Sequence, residues 1–238
     1  RCFVKRKTSF YCYVHLERVK CGKNKPDSSI NYRKFPFVFK NLYICEIFRK
    51  TMNKIEVALQ RARDTKALII GKGTAIRSAE MFNSLFPGLK AIIVADENTW
   101  EVAGKDVQKS LDDSGIESYA PFVFASKDFY AEWQHVETLR KHLQGIDAVA
   151  VAVGSGVIND TVKYVSYMLG RRYMCVGTAA SMDGFTAYGS SITKDGNKQT
   201  FDCPAPLGFI LDSAVAAAAP KELAASGYAD LIAKIPAG

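Results

Sequence analysis

Three observations predict an α/β fold built on a parallel sheet. Between residues 52 and 213, short apolar runs recur that contain almost no polar residue. Segments with the hydrophobic period of a helix separate these runs. Glycine-rich turns follow two of the runs directly. Strands that are apolar on both faces and alternate with helices are typical of a parallel sheet covered by helices on both sides.

The individual elements follow from the same patterns. Six strands are predicted, in chain order KALII, AIIVA, PFVF, DAVAVAV, RRYMCVGT and GFILD. The helices predicted before and between them are MNKIEVALQRA, TAIRSAEMFNSLF, VAGKDVQKSLDDSG, FYAEWQHVETLRKHLQ and INDTVKYVSYML. Asp195 and Gly196, between two β-rich runs, predict the turn of a β-hairpin. The segment after GFILD is expected to be helical, with Pro220 near the start of its second helix.

Positive charge is concentrated in one part of the chain. Residues 1–51 hold 13 of the 32 lysines and arginines but three of the 24 acidic residues, so the remainder is slightly acidic. The same segment has four of the six cysteines and precedes the first methionine, Met52. We interpret residues 1–51 as an atypical basic extension, which is either not native or a genuine tail able to bind nucleic acid. For the body of the chain, the charge does not indicate a nucleic-acid partner.

The apolar and cysteine patterns exclude two other classes. Lys40 and Glu46 interrupt the longest apolar stretch of residues 1–51, so no membrane span is predicted. No CxxC spacing occurs, which argues against a zinc ribbon. The two cysteines of the body, Cys175 and Cys203, fit a reducing compartment, and we expect a cytoplasmic protein.

Two glycine loops are candidates for phosphate binding. Gly71 and Gly73 follow the first predicted strand, and Gly154 and Gly156 follow DAVAVAV. Neither completes the GxGxxG dinucleotide fingerprint, since Asn159 stands where the second loop needs its third glycine, and a simple tight turn remains the alternative. The second loop, however, directly precedes a helix, whose first amides are unpaired and attract anions.

The second loop also carries a resemblance to a known superfamily. GSGVINDTVK, with Asp160 and Lys163 three residues apart, resembles the GGGxxxDxxK signature shared by 3-dehydroquinate synthase, glycerol dehydrogenases and iron-containing alcohol dehydrogenases. VGTAASMDGFTAYGSSI, DGNKQTFDCPAPLGFILD and APKELAASGYADLIAK resemble the sn-glycerol-1-phosphate dehydrogenase branch of that superfamily. The resemblance covers about residues 52–238, and its most specific motifs lie in 154–234.

The resemblance implies both an architecture and an activity. Residues 52–213 would form a Rossmann-like dinucleotide-binding domain, and residues 214–238 the beginning of a truncated all-helical metal-binding domain. The activity would be an NAD- or NADP-dependent oxidoreductase that interconverts dihydroxyacetone phosphate and sn-glycerol 1-phosphate, with a divalent metal, usually zinc, polarising the carbonyl. Glycerol dehydrogenase, 3-dehydroquinate synthase and a non-enzymatic remnant with a basic nucleic-acid-binding tail remain alternatives.

Cofactor-binding residues follow from the same resemblance. Asp96, after the second strand, is expected to bind the adenosine ribose, which would favour NAD over NADP, although a helix cap is the alternative role. Asp160 and Lys163 are assigned to the cofactor site, with an ordinary solvated helical pair as the alternative. The remaining cofactor contacts implied by the resemblance are Gly154, Ser155, Gly156, Val157, Ile158, Thr178 and Ser181.

The substrate and metal site is expected to be incomplete. Asp183 would bind the substrate, and Asp230 would bind both the metal and the substrate, so both are assigned as catalytic. The family adds two histidines well beyond the aspartate, whereas the last histidine here is His142, which with His135 is expected to be an exposed helical residue. Ala187 also replaces a serine that contacts the cofactor in many members of the family.

These departures lead to several expectations. We expect the chain to be a C-terminally truncated fragment that retains dinucleotide affinity, lacks dehydrogenase activity and has low solubility, since a face meant for the next domain would be exposed. Its partners would be a phosphorylated small-molecule substrate and, for the full-length protein, further copies in a homo-oligomer.

Overall fold

The structure is a computed structural model that describes residues 54–125 and 129–237. The interpretations made for residues 1–51, including the basic extension and its four cysteines, lie outside the described residues. Among the residues described, no helix combines the length and apolarity that a membrane crossing requires.

A six-stranded parallel sheet forms the centre of the described region, as the sequence predicts. The strand bounds, including those of a separate hairpin, are β1 Ala67–Gly71, β2 Ala91–Asp96, β3 Phe122–Phe124, β4 Val149–Gly154, β5 Met174–Gly177, β6 Ser190–Lys194, β7 Asn197–Phe201 and β8 Gly208–Asp212. The strands of the sheet, in the spatial order β1-β8-β5-β4-β2-β3, pair parallel throughout. The antiparallel hairpin contains β6 and β7.

Helices connect the strands and cover the sheet. The bounds are α1 54–61, α2 Ser78–Leu85, α3 Glu97–Thr99, α4 Lys105–Asp113, α5 Trp133–Gln144, α6 Gly156–Met168, α7 Ser213–Ala218 and α8 Lys221–Ala237. Short 3₁₀ helices lie at Ala75–Arg77 and Gly184–Thr186, and a π-helical turn, Trp100–Gly104, joins α3 to α4. The sequence predicts the start of this helix at Val102, inside the π turn, so α3 and the first two residues of the turn lie before the predicted start.

Local signals agree with the observed turns. Asp195 and Gly196 both have positive φ, 52° and 75°, as the tight hairpin between β6 and β7 requires. Pro220 stands immediately before α8, where its missing amide hydrogen costs no helical hydrogen bond. The predicted hairpin and the predicted helix start are therefore confirmed.

Two apolar clusters fill the space on the two faces of the sheet. Ile93 and Val151 belong to one cluster, and Ile92 and Ala150 to the other, so neighbouring residues of each strand point to opposite layers. Every residue of β4 is buried. Full burial of an Ile or Val side chain contributes about 2 kcal/mol to the free energy of unfolding. Burial of both faces explains why the sequence shows continuous apolar runs instead of an alternation.

The order of the strands creates a crevice between β2 and β4. The chain leaves β2 toward β3 on one side, and it leaves β4 toward β5 on the other. The loops after β2 and β4 consequently diverge, and a gap opens at the carboxyl edge of the sheet. In open α/β sheets this switch point is the usual ligand-binding position.

Candidate dinucleotide and substrate site

The second glycine loop lies at this crevice, between β4 and the 13-residue helix α6. Ser155 is the N-cap residue of α6 and has extended backbone angles, but its side chain makes no capping hydrogen bond. The amides of the first turn of α6 are thus available to an anion. We name Gly154–Ile158 the cradle.

Gly154 of the cradle is sterically required, and Gly156 is closely packed against a flexible side chain. A Cβ on Gly154 would lie 2.6 Å from the Cβ of Ile158, and one on Gly156 would lie 3.0 Å from the sulfur of Met182. Asn159, where a fingerprint would have its third glycine, is fully buried and accepts a hydrogen bond of 2.9 Å from the hydroxyl of Tyr173. The residue that departs from the GxGxxG pattern is therefore a hydrogen-bonded residue of the core.

Thr178 and Ser181 border the cradle from the loop after β5. The amide of Thr178 donates to the carbonyl of Gly154 over 3.2 Å, which joins the ends of β4 and β5. The Ser181 hydroxyl oxygen is buried and has no hydrogen-bond partner among the described residues. A buried hydroxyl without a partner is costly, so it fits a polar ligand beside the uncapped helix. Together these features fit a dinucleotide.

Asp96 ends β2, the neighbour of β4, and caps the following helix. Its Oδ1 accepts hydrogen bonds from the amides of Asn98 and Thr99, at 2.9 and 3.0 Å. The Asp96 amide in turn donates a hydrogen bond to the hydroxyl oxygen of Thr99, which completes a capping box. The capping alternative is thus what the structure shows. Since the cap uses one carboxylate oxygen, the ribose contact stays a prediction.

Asp160 and Lys163 lie one turn apart on α6, on its buried face. The Lys163 side chain is completely buried, and its Nζ is 3.8 Å from Asp160 Oδ1. Burial lowers the pKa of Lys163 and raises that of Asp160, although each charge partly offsets the effect on the other. An exposed, solvated helical pair, the alternative considered from the sequence, is therefore not what forms. Their assignment to cofactor contact stays a prediction.

Asp183 and Asp230, which are 47 residues apart in sequence, meet beside the cradle. The Asp183 amide donates to Asp230 Oδ2 over 3.0 Å, and this bond lowers the pKa of the Asp230 carboxyl. Lys234 Nζ lies 3.4 Å from Asp183 Oδ2. Two carboxylates that the resemblance assigns to one substrate are thus adjacent.

Gly227 makes this meeting possible. A Cβ at Gly227 would lie 2.1 Å from the carbonyl oxygen of Ala180, so α8 packs backbone to backbone on the loop that carries Asp183. Asp230 follows Gly227 by three residues and lies on the same side of α8.

Comparison with known proteins identifies the family. The model of the iron-containing alcohol dehydrogenase family matches residues 69–220. The chain belongs to this family. A glycerol-1-phosphate dehydrogenase [NAD(P)+] of Bacillus subtilis is 29% identical over 195 residues, which are 77% of this chain and 50% of that protein. The enzyme of the same name from Methanoculleus marisnigri is 34% identical over 182 residues, 75% of this chain and 47% of that protein.

Solved structures of the family share the fold. A glycerol dehydrogenase of Schizosaccharomyces pombe superimposes with a TM-score of 0.61 at 24% identity, over 72% of this chain and 43% of the other. An iron-containing alcohol dehydrogenase of Thermotoga maritima gives 0.61 at 18% identity, over 69% and 50%. The chain spans about half or less of the length of these relatives. The predicted superfamily and the α/β class are confirmed, and the relatives carry the names of glycerol-1-phosphate, glycerol and alcohol dehydrogenases.

The described part of this family member does not fit a complete metal site. Within residues 54–125 and 129–237, no three His, Cys, Asp or Glu side chains form a group able to hold a metal ion. Asp183 and Asp230 supply two carboxylates, whereas a catalytic zinc has three protein ligands. His135 and His142 lie on α5, where they pack against Phe129 and Phe122 respectively.

Three residues that position the site were not anticipated from the sequence. Met182 packs on Gly156, Gly227 permits the close approach of α8, and Asp212 organises the first glycine loop. Asp212 accepts hydrogen bonds from the amides of Gly73, Ala75, Ala214 and Val215. An aspartate at the end of a strand, two residues before AVAAAA, was a recognisable helix-cap signal. Its bonds to the other loop had no sequence signal.

Proposed function

We propose that this chain provides the dinucleotide site and two substrate carboxylates of an NAD(P)-dependent sn-glycerol-1-phosphate dehydrogenase. The observation that carries this proposal is the contact of Asp183 with Asp230 beside the cradle. The curated relatives of that name support it. The domain division at residues 51 and 213 remains part of the proposal.

The cradle would bind the pyrophosphate of the cofactor. The free amides at the start of α6 donate to phosphate oxygens, and their position at the helix N-terminus adds a favourable dipole. Ser181 and Thr178 would contact the part of the dinucleotide that lies over β5, and Asp96 the adenosine ribose. A 2′-phosphate would meet the negative charge of Asp96, so NADH should bind more tightly than NADPH.

A bound dinucleotide would supply the hydride that reduces the carbonyl carbon of dihydroxyacetone phosphate. Asp183 and Asp230 would accept hydrogen bonds from substrate hydroxyl groups and orient the carbonyl toward the cradle. Asp230 is also the expected contact of a divalent metal, zinc in the resemblance, but we assign no step to it because the described residues supply too few ligands.

Glycerol dehydrogenase is the competing assignment within the family, since the S. pombe structure shares the fold. The names of the curated relatives favour a phosphorylated substrate. The Lys234 ammonium group lies 3.4 Å from Asp183 and is paired with that carboxylate, so its charge does not by itself select a phosphate.

A titration of the 238-residue chain with NADH, followed by nucleotide fluorescence, tests the proposal. We expect saturable NADH binding, weaker NADPH binding, and tighter NADH binding when sn-glycerol 1-phosphate is added but not when glycerol is added. Absence of NADH binding by the folded chain would overturn the proposal, and an effect of glycerol alone would favour the competing assignment.

We expect no oxidation of NADH with dihydroxyacetone phosphate by the same chain, because its described residues supply two carboxylates at this site and a catalytic zinc usually has three protein ligands. Rapid turnover with added zinc would contradict this expectation. Low solubility also stays a prediction, and the exposure of Tyr228, Leu231 and Ile235 on α8 supports it.

A further inference from the structure

The buried ammonium group of Lys163 makes all its hydrogen bonds to the backbone of one loop. Its Nζ donates to the carbonyl oxygens of Gly184, Ala187 and Gly189, at 3.3, 3.1 and 3.1 Å. An ammonium group has three hydrogens, so these three acceptors use its full donor capacity. No donor is left for a nucleotide phosphate or ribose.

The loop that Lys163 holds directly continues the proposed site. Residues 184–189 follow Asp183, and Met182 on the other side of Asp183 packs against Gly156 of the cradle. Asp160, one turn earlier on α6, accepts a hydrogen bond of 3.4 Å from the Ser191 amide at the far end of the loop. One turn of α6 therefore holds the segment 184–191, and the start of the same helix forms the cradle.

A buried lysine is a poor choice for stability alone. Removing an ammonium group from water is unfavourable, and a well-packed apolar side chain often stabilises a core equally well. Three carbonyl acceptors at defined positions, by contrast, determine the path of the loop. The effect of a lysine at this position is therefore to fix the backbone path of the loop.

We propose that Lys163 is a positioning residue, which sets the distance between the substrate carboxylate of Asp183 and the cradle through the backbone of residues 184–189. This proposal rests on the proposed function and revises the expected role of Lys163 as a direct cofactor contact. Asp160 is its counter-ion and fixes the far end of the same loop.

Hydrogen exchange and ligand titration of the variant Lys163→Met test the proposal. We expect amide exchange in residues 183–191 to accelerate at least tenfold without any ligand, with little change elsewhere. NADH affinity should weaken no more than about threefold, whereas the tightening by sn-glycerol 1-phosphate should be lost. Lys141→Met, which removes an exposed lysine from α5, is the matched control and should leave all three measurements unchanged.

The double variant Asp160→Asn with Lys163→Met covers the case in which the single variant fails to fold, because it leaves no unpaired buried carboxylate. It should show the same local exchange. Unchanged exchange in 183–191 in either folded variant would overturn the proposal, as would a tenfold loss of NADH affinity with an intact loop, which would indicate direct contact. Global unfolding of both variants would also overturn it, since Lys163 would then serve the whole fold.

If wild-type protein binds no NADH but Lys163→Met still loosens the loop, the proposed function fails and the loop-holding role stands. The two failures are thus distinguishable.

Discussion

The two glycine loops of this chain have similar sequences and opposite environments. Gly71-Lys72-Gly73 and Gly154-Ser155-Gly156 each begin at the last residue of a parallel strand, at the same edge of the sheet; the first strand is half-buried and the second is fully buried. In the first loop, the amides of Gly73 and Ala75 donate to the carboxylate of Asp212. In the second, the cap residue makes no side-chain hydrogen bond to the helix. A glycine loop is an anion site only when the protein leaves its amides unpaired.

The largest effect is expected from removing the carboxylate that occupies the first loop. Asp212→Ala leaves four amides without their acceptor, and we expect a loss of about 3 kcal/mol in the free energy of unfolding. Asp212→Asn keeps one oxygen and should lose less. Urea denaturation measures both, and an Asp212→Ala variant as stable as wild type would show that water replaces the carboxylate.

The contribution of Asp212 should also depend on pH. Burial would raise the pKa of this carboxyl, but the hydrogen bonds from Ala75, Gly73, Ala214 and Val215 outweigh it, and the pKa lies below its usual value. A lowered pKa in the folded state stabilises the protein above the unfolded-state pKa of about 3.9. The stability difference between wild type and Asp212→Asn should therefore be full at pH 6 and shrink as the pH falls through the folded-state pKa. A difference that grew on acidification would refute the assignment.

Gly154→Ala and Gly71→Ala compare the two loops directly. The new Cβ at residue 154 would meet the rigid Cβ of Ile158 at 2.6 Å, whereas at residue 71 it would meet the end of the Thr74 side chain at 2.9 Å. We expect the first variant to weaken NADH binding more than tenfold and the second to change it less than twofold. Equal effects would mean that both loops contact the nucleotide.

Gly227→Ala tests the approach of α8. Alanine normally stabilises a helix by about 1 kcal/mol relative to glycine. Here the Cβ would collide with the Ala180 carbonyl, so we expect the melting temperature to fall instead. The effect of sn-glycerol 1-phosphate on NADH binding should disappear, because Asp230 would move away from Asp183. A rise in melting temperature would show that α8 is not held by this contact.

Ser181→Ala should give the smallest effects, and they should have opposite signs. Removing an unpaired buried hydroxyl should raise the free energy of unfolding by about 0.5 kcal/mol, while NADH affinity falls a few-fold. Ser78→Ala removes another buried hydroxyl without a partner in the described region, at the first residue of α2 instead of beside the cradle. It should raise stability similarly and leave NADH affinity unchanged. Identical NADH affinities for both variants would show that Ser181 does not contact the nucleotide.

Most of the fold could be predicted because its signals are local. Each strand of the parallel sheet is a continuous apolar run, and Asp195-Gly196 has the turn chemistry of a tight hairpin. The π-helical turn at Trp100–Gly104 was missed, since nothing in a helical hydrophobic period distinguishes a wider turn. The resemblance also assigned Asp183 and Asp230 to one substrate, and they prove to be neighbours.

Local patterns in the sequence specify most of the strands and helices, because hydrophobic periodicity and caps act within a few residues. Which loop keeps its amides free depends on Asp212, 139 residues from Gly73, and on the order of strands that brings β8 beside β1. The direction of the Lys163 side chain, toward three carbonyls instead of the cofactor, likewise depends on a loop more than 20 residues away. These contacts follow from the fold, because hydrogen bonds between distant segments form only after the sheet has brought the segments together.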